Sequence, residues 1–115
     1  MMSGGIMLSK ELMFSKGDIV LVQFPFSDLI HAKKRPMVVI AVRGDDIVGC
    51  AVTSNPYSEG VPISGFAEGN LPFESKIKFW QLVTFEKNVV TQKVAVVSSK
   101  VYKELYVKVT DLIKP

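Results

Sequence analysis

The 115-residue sequence holds one cysteine and one histidine. A lone thiol, Cys50, forms no intrachain disulfide, and Cys50 with His31 cannot assemble a zinc site of ordinary composition. No cofactor-binding motif and no other cluster of metal-ligating residues stands out, so neither a cofactor nor a metal is expected. No apolar run approaches the roughly 18 residues of a membrane-spanning helix. The first residues lack the charged-then-apolar pattern of a secretory leader. These absences together predict a cytoplasmic protein in a reducing compartment, without a membrane partner. Repeats and low-complexity tracts are missing as well. Charge of one sign is in slight excess only: 14 basic against 11 acidic residues, net +3. That balance suits a nucleic-acid partner without demanding one.

What is present is apolar. Hydrophobic residues make up 48% of the chain, which fits one globular domain burying roughly two-thirds of its unfolded surface. Cys50 lies in Gly49-Cys50-Ala51-Val52 and reads as a small core residue, not a nucleophile. Residues 1–15 read as a separate arm or extension, with the domain proper over 16–115. Within 1–15, Leu8 and Leu12 are spaced for a short amphipathic turn.

Apolar β-formers predict a strand over 19–24, ended by Pro25, and a second over 37–42. Arg43-Gly44-Asp45-Asp46 is a hairpin turn leading into a third strand over 47–53. Residues 54–74 are rich in Ser, Gly, Pro and Asn and read as one long loop, a length usually found in functional or disordered segments. A fourth strand covers 75–85, with Lys76 and Lys78 on one face and Ile77 and Phe79 on the other. A fifth covers 89–97. Ser98 and Ser99 are N-cap candidates for a helix carrying Val101, Leu105, Val109 and Leu112 at helical spacing. The expected fold is mainly β with a C-terminal helix: five antiparallel strands in a small barrel or strongly bent sheet.

Lys33-Lys34-Arg35 stands directly before Pro36 and the second strand. Pairing Arg43 with Asp46 sets Ile40 opposite Gly49, Val38 opposite Ala51 and Arg35 opposite Ser54. The basic start of one strand then lies beside Thr53, Ser54 and Asn55 at the end of the next. A planar guanidinium among hydroxyls and an amide suits a phosphate. A solvated loop end beside an ordinary turn is the plainer reading. Thr53 points away from Arg35 in this register unless a bulge intervenes.

Four blocks, KGDIVLVQFPFSDL, KKRPMVVI, AVTSN and SKIKFWQLVTFEKNVVTQKVAVVS, resemble the MazF/PemK toxins of bacterial toxin–antitoxin pairs. The resemblance runs from about Lys16 to Ser98. It implies an SH3-like, partly open antiparallel barrel that forms a homodimer. It also implies a metal-independent, sequence-specific endoribonuclease acting on single-stranded RNA, often mRNA, and a cognate antitoxin protein. Matched block by block, Arg35 and Thr53 are the implied catalytic pair, with the RNA 2′-hydroxyl as nucleophile. Phe24, Lys33, Lys34, Ser54, Asn55 and Gln81 are then expected to contact RNA, with Asp28 and His31 as auxiliary candidates. Each has a plainer role too: Phe24 in the core, Asp28 capping a turn, His31 solvated, Gln81 at a strand bend. A single histidine excludes a two-histidine ribonuclease mechanism. Trp80 stands where many members carry Asp, and either stacks on a base or packs. Two alternatives share the fold: a CcdB-type toxin that traps DNA gyrase, and an RNA-binding module without activity.

Overall fold

A computed structural model describes residues 13–23 and 33–115. Among these residues the chain forms β1 (Asp18–Val22), β2 (Arg35–Arg43), β3 (Asp46–Thr53), β4 (Val61–Pro62), β5 (Phe66–Gly69), β6 (Lys76–Glu86), β7 (Val90–Val97) and the helix α1 (Ser99–Ile113). A 3-10 turn at Lys87–Val89 joins β6 to β7. The strands make one antiparallel sheet in the order β4-β6-β3-β2-β1-β7-β5. The sheet is not closed, and one helix follows it, as the sequence pattern predicts.

Two expectations need correction. The segment 54–74 is not one loop, because β4 and β5 lie within it, and the described residues form seven strands instead of five. β4 is two residues long and β5 four, too short to show an alternating pattern, and Gly and Pro surround both. The first strand ends at Val22, and Phe24 lies outside the described residues.

Both faces of the sheet are buried. Ile19, Val38, Cys50, Ile77 and Val97 pack on the helix side against Val101 and Leu105. Val20, Val22, Met37, Val39, Ile47 and Phe85 form a second core on the opposite face. Burial on both faces explains why β1 and β2 read as continuous apolar runs without alternation. The helix begins where expected: the Ser98 hydroxyl accepts the Val101 N–H at 3.3 Å. Val101 and Leu105 are fully buried, whereas Leu112 is 46% exposed. The helical periodicity overrides the local strand preference of the Tyr106–Thr110 stretch, because burying that stripe outweighs weak propensity.

The hairpin turn is as predicted. Gly44 adopts φ 59°, and Arg43 pairs with Asp46. The register beyond it is not. Val42 pairs with Ile47 and Ala41 with Val48, but then Val39 faces Gly49, Val38 faces Cys50 and Met37 faces Ala51. Ile40 is an extra residue, a bulge that shifts every later pair by one. Gly49 makes the distortion feasible. A Cβ there would lie 3.2 Å from both the Phe85 ring and the Val38 carbonyl oxygen, so a larger residue would force these neighbours to give way by a few tenths of an ångström.

A second irregularity sits in β6. Cys50 pairs with Leu82, whereas its neighbour Ala51 pairs with Lys78. Phe79, Trp80 and Gln81 therefore have no cross-strand partner in β3. Phe79 turns its side chain to the helix-side core, and Trp80 meets it edge to face, with ring centroids 5.0 Å apart.

Candidate functional site

The β2–β3 bulge decides what stands beside Arg35. The last β2–β3 pair is Met37 with Ala51; extended by two residues, that register aligns Arg35 with Thr53. The expected pairs Ile40–Gly49 and Val38–Ala51 are corrected by the one-residue shift at Ile40, and the register from which Arg35 was set opposite Ser54 moves with them. On the flanks, Arg35 pairs with Val22 of β1, and Thr53 pairs with Lys76 of β6. Extended in this way, the register lines up Arg35 with the Thr53–Lys76 pair at one rim of the sheet. The alternation along each strand puts all three on the face of Met37 and Ala51, the second core. Directly opposed residues in such a ladder have Cα atoms about 4.5–5.5 Å apart. Arg35 is exposed and Thr53 half-buried.

The chain leaving Thr53 is held in a defined shape. The Thr53 hydroxyl oxygen accepts the Asn55 N–H at 3.1 Å, and Asn55 Oδ1 accepts the Tyr57 N–H at 2.9 Å. The Ser58 N–H closes a turn onto the Asn55 carbonyl at 3.1 Å. From β6, the Lys76 ammonium donates to the Pro56 carbonyl at 3.1 Å and to the Ser58 carbonyl at 2.8 Å. Lys76 therefore fastens this loop. Thr53 uses a lone pair, so its own O–H remains able to donate to an anion. Asn55 spends its side-chain carbonyl within the loop and keeps its amide N–H groups as donors.

The other sequence candidates are placed unevenly. Ser54 and Asn55 directly follow Thr53, and Lys33 and Lys34 directly precede Arg35; all four are exposed. Gln81 lies in the unpaired stretch of β6, roughly 10 Å along the sheet from Thr53, and does not join the row. Phe24, Asp28 and His31 fall outside the described residues. Cys50 is fully buried, and burial pushes its thiol up to about 11, which leaves it inert at neutral pH. Burial also raises the Tyr102 phenol, with the nearby Cys50 as a lesser cause. Among the described residues, no group of His, Cys, Asp and Glu is arranged to hold a metal ion.

Sequence reasoning missed two residues here, Lys76 as the loop's fastening and Tyr57 on that loop. A lysine alternating with apolar residues looks like any solvated strand position. Only the Asn-Pro pair at 55–56 advertises a turn.

An open, bulged antiparallel sheet followed by one helix places the chain in the class of small, partly open β-barrels. A chain of the MazE–MazF complex from Deinococcus radiodurans superposes with a TM-score of 0.70, covering 87% of this chain and 95% of that one at 17% identity. The Mycobacterium tuberculosis toxin MazF-mt6 gives 0.63, with 82% and 93% covered at 11% identity. A mycobacterial endoribonuclease in complex with its cognate antitoxin gives 0.65, with 90% and 98% covered at 9% identity. At such identities the likeness establishes the fold. No curated protein matches the sequence. Residues 15–113 match the family of PemK-like, MazF-like toxins of type II toxin–antitoxin systems, and the chain belongs to that family.

Proposed function

We propose that this toxin is a metal-independent, sequence-specific endoribonuclease acting on single-stranded RNA in the cytoplasm. The observation that carries the reading is the one-residue register shift at Ile40, which, extended past Met37 and Ala51, aligns Arg35 with Thr53 at one rim of the sheet.

The reaction suited to this pair is attack by a ribose 2′-oxygen on the adjacent phosphorus. The new P–O2′ bond forms as the P–O5′ bond breaks. The 2′-hydroxyl loses a proton and the departing 5′-oxygen gains one, leaving a cyclic phosphate and a free 5′-hydroxyl. Negative charge builds on the non-bridging oxygens in between. Arg35 offers a permanent positive charge and forked donors to those oxygens. Thr53 offers a hydroxyl donor. Guanidinium stays protonated in proteins, so Arg35 serves better as a charge clamp than as a base. Lys33 and Lys34 add attraction for the flanking phosphates. Ser54 and the Asn55 amide add donors beside them.

Partners follow from the family. The Deinococcus relative was seen in a MazE–MazF complex and a mycobacterial one with its cognate antitoxin, and we read this chain as held dormant in the same way. We also read it as a homodimer. Trp80, Leu82, Leu112 and Ile113 are exposed and supply apolar surface for a subunit contact. Among the described residues no helix is long and apolar enough to cross a membrane.

The test is incubation with a long single-stranded RNA in excess chelator, followed by end mapping. Discrete cuts ending in cyclic phosphate are expected. Loss of one transition-state donor typically costs about 10²–10³ in rate, so Arg35→Ala and Thr53→Ala should be at least that slow, with unchanged thermal midpoints. Intact RNA with the folded wild-type protein overturns the reading. Stalled gyrase would then favour a CcdB-type poison, and tight RNA binding without cuts would favour a binding module.

A further inference from the structure

Tyr57 is 94% exposed, more than any other large hydrophobic residue described. Single exposed apolar residues are common and need no explanation. Tyr57 differs in how it is held. Asn55-Pro56-Tyr57-Ser58 is a β-turn closed by the Ser58 N–H on the Asn55 carbonyl at 3.1 Å, with Pro56 and Tyr57 as its two central residues. The Tyr57 N–H itself is bound by Asn55 Oδ1. Lys76 clamps the carbonyls on both sides of Tyr57, those of Pro56 and Ser58. Just beyond, Gly60 is pressed against β6, where a Cβ would stand 2.7 Å from the Ile77 carbonyl oxygen. The backbone under this ring is fastened from both ends while the ring touches solvent. None of that order is repaid by burying the side chain.

The ring is also in a telling place. Two consecutive hydrogen bonds, Asn55 N–H to Thr53 Oγ1 and Tyr57 N–H to Asn55 Oδ1, link it to the hydroxyl assigned to the scissile phosphate. Four residues of chain span at most about 14 Å, so the ring stands within reach of a nucleotide adjoining that phosphate. A pre-ordered aromatic beside a cationic rim is the arrangement by which proteins stack the bases of single strands.

We propose that Tyr57 is a stacking platform for a base of the single-stranded RNA next to the cleaved bond. This rests on the nuclease reading above and adds to it the residue that holds the flanking nucleotide. Stacking is tolerant of base identity, so Tyr57 contributes affinity and placement, and the recognised motif is read elsewhere.

The experiment uses the full chain and a 2′-O-methyl single-stranded RNA, which binds but cannot be cut, spanning a mapped cleavage site. 2-Aminopurine is placed at each position in turn. With wild-type protein, one position adjoining the cut is expected to lose fluorescence on binding, as stacked 2-aminopurine does. Tyr57→Phe keeps that quenching. Tyr57→Ala loses it, and binds about 5- to 150-fold more weakly, the range for one stacked base. The affinity gap between wild type and Tyr57→Ala closes when the quenched nucleotide is made abasic. Circular dichroism and thermal midpoint stay as in wild type. If wild type cuts RNA and Tyr57→Ala binds and quenches equally well, this inference fails while the nuclease reading stands. If wild type neither binds nor cuts, both fail.

Discussion

Lys76 is the cross-strand partner of Thr53, and its ammonium reaches over the loop that leaves Thr53 to hold two backbone carbonyls. A cation at the rim of a phosphate-binding surface is easily taken for a substrate contact. Here two of its three donors are committed to the Pro56 and Ser58 carbonyls, and these bonds hold the loop's shape.

Lys76→Met keeps the aliphatic stem and removes the two donors. Amide exchange at Tyr57 and Ser58 is expected to quicken markedly. RNA cleavage should fall several-fold, chiefly through a raised KM. Global stability should drop by about 1 kcal/mol, since the bonds are only partly buried. Unchanged exchange at those two amides would show that the lysine does not hold the loop.

Cys50 supplies a pH signature. Burial holds its thiol up at about 11, against an unfolded value near 8.5. The folded state thus favours the protonated thiol. That contribution is fully present below the unfolded value and fades as pH rises from about 8.5 through about 11. Cys50→Ala should lose stability less steeply over that window than wild type, by urea titration at each pH. At pH 8 the native thiol should resist iodoacetamide until urea opens the core. Rapid labelling without denaturant would contradict its burial.

Ser98 caps the helix that covers the helix-side core. Ser98→Ala removes the acceptor for the Val101 N–H and should cost about 1 kcal/mol. For a domain of this size that lowers the thermal midpoint by roughly 4–8 °C. Ser98→Asp, which keeps an acceptor, should restore most of it. An alanine variant as stable as wild type would mean that the cap is energetically idle.

Asp18 is the one buried charged side chain among the described residues. It accepts the Ser15 N–H at 2.8 Å and lies 3.6 Å from the Lys93 ammonium. Asp18→Ala removes the acceptor of that part-buried bond and should cost about 0.5–1.5 kcal/mol. Asp18→Asn retains an acceptor and should cost less, while Lys93→Met, at an exposed cation, should change stability by less than about 1 kcal/mol. Urea midpoints order the three variants. A Lys93→Met loss as large as that of Asp18→Ala would reverse the assignment.

The sequence alone determined the local elements with strong short-range signals. Val101 and Leu105 at helical spacing behind Ser98 specified the helix. Gly44 between two apolar runs specified the hairpin, because positive φ is cheap only for glycine. The blocks carrying Arg35 and Thr53 were enough to suggest the family, and with it the open barrel. Other features depended on contacts between distant residues. Ile40 bulges where β2 pairs with β3, and no local pattern around 40 records that. The β4 and β5 strands exist by pairing with β6 and β7, since stretches so short have no stable conformation alone. Lys76 finds its carbonyl partners only once β6 lies beside β3. Local propensity is written residue by residue, whereas register and loop anchoring arise when the sheet assembles. That is why the β2–β3 register, on which the alignment of Arg35 with Thr53 rests, was decided by the tertiary structure.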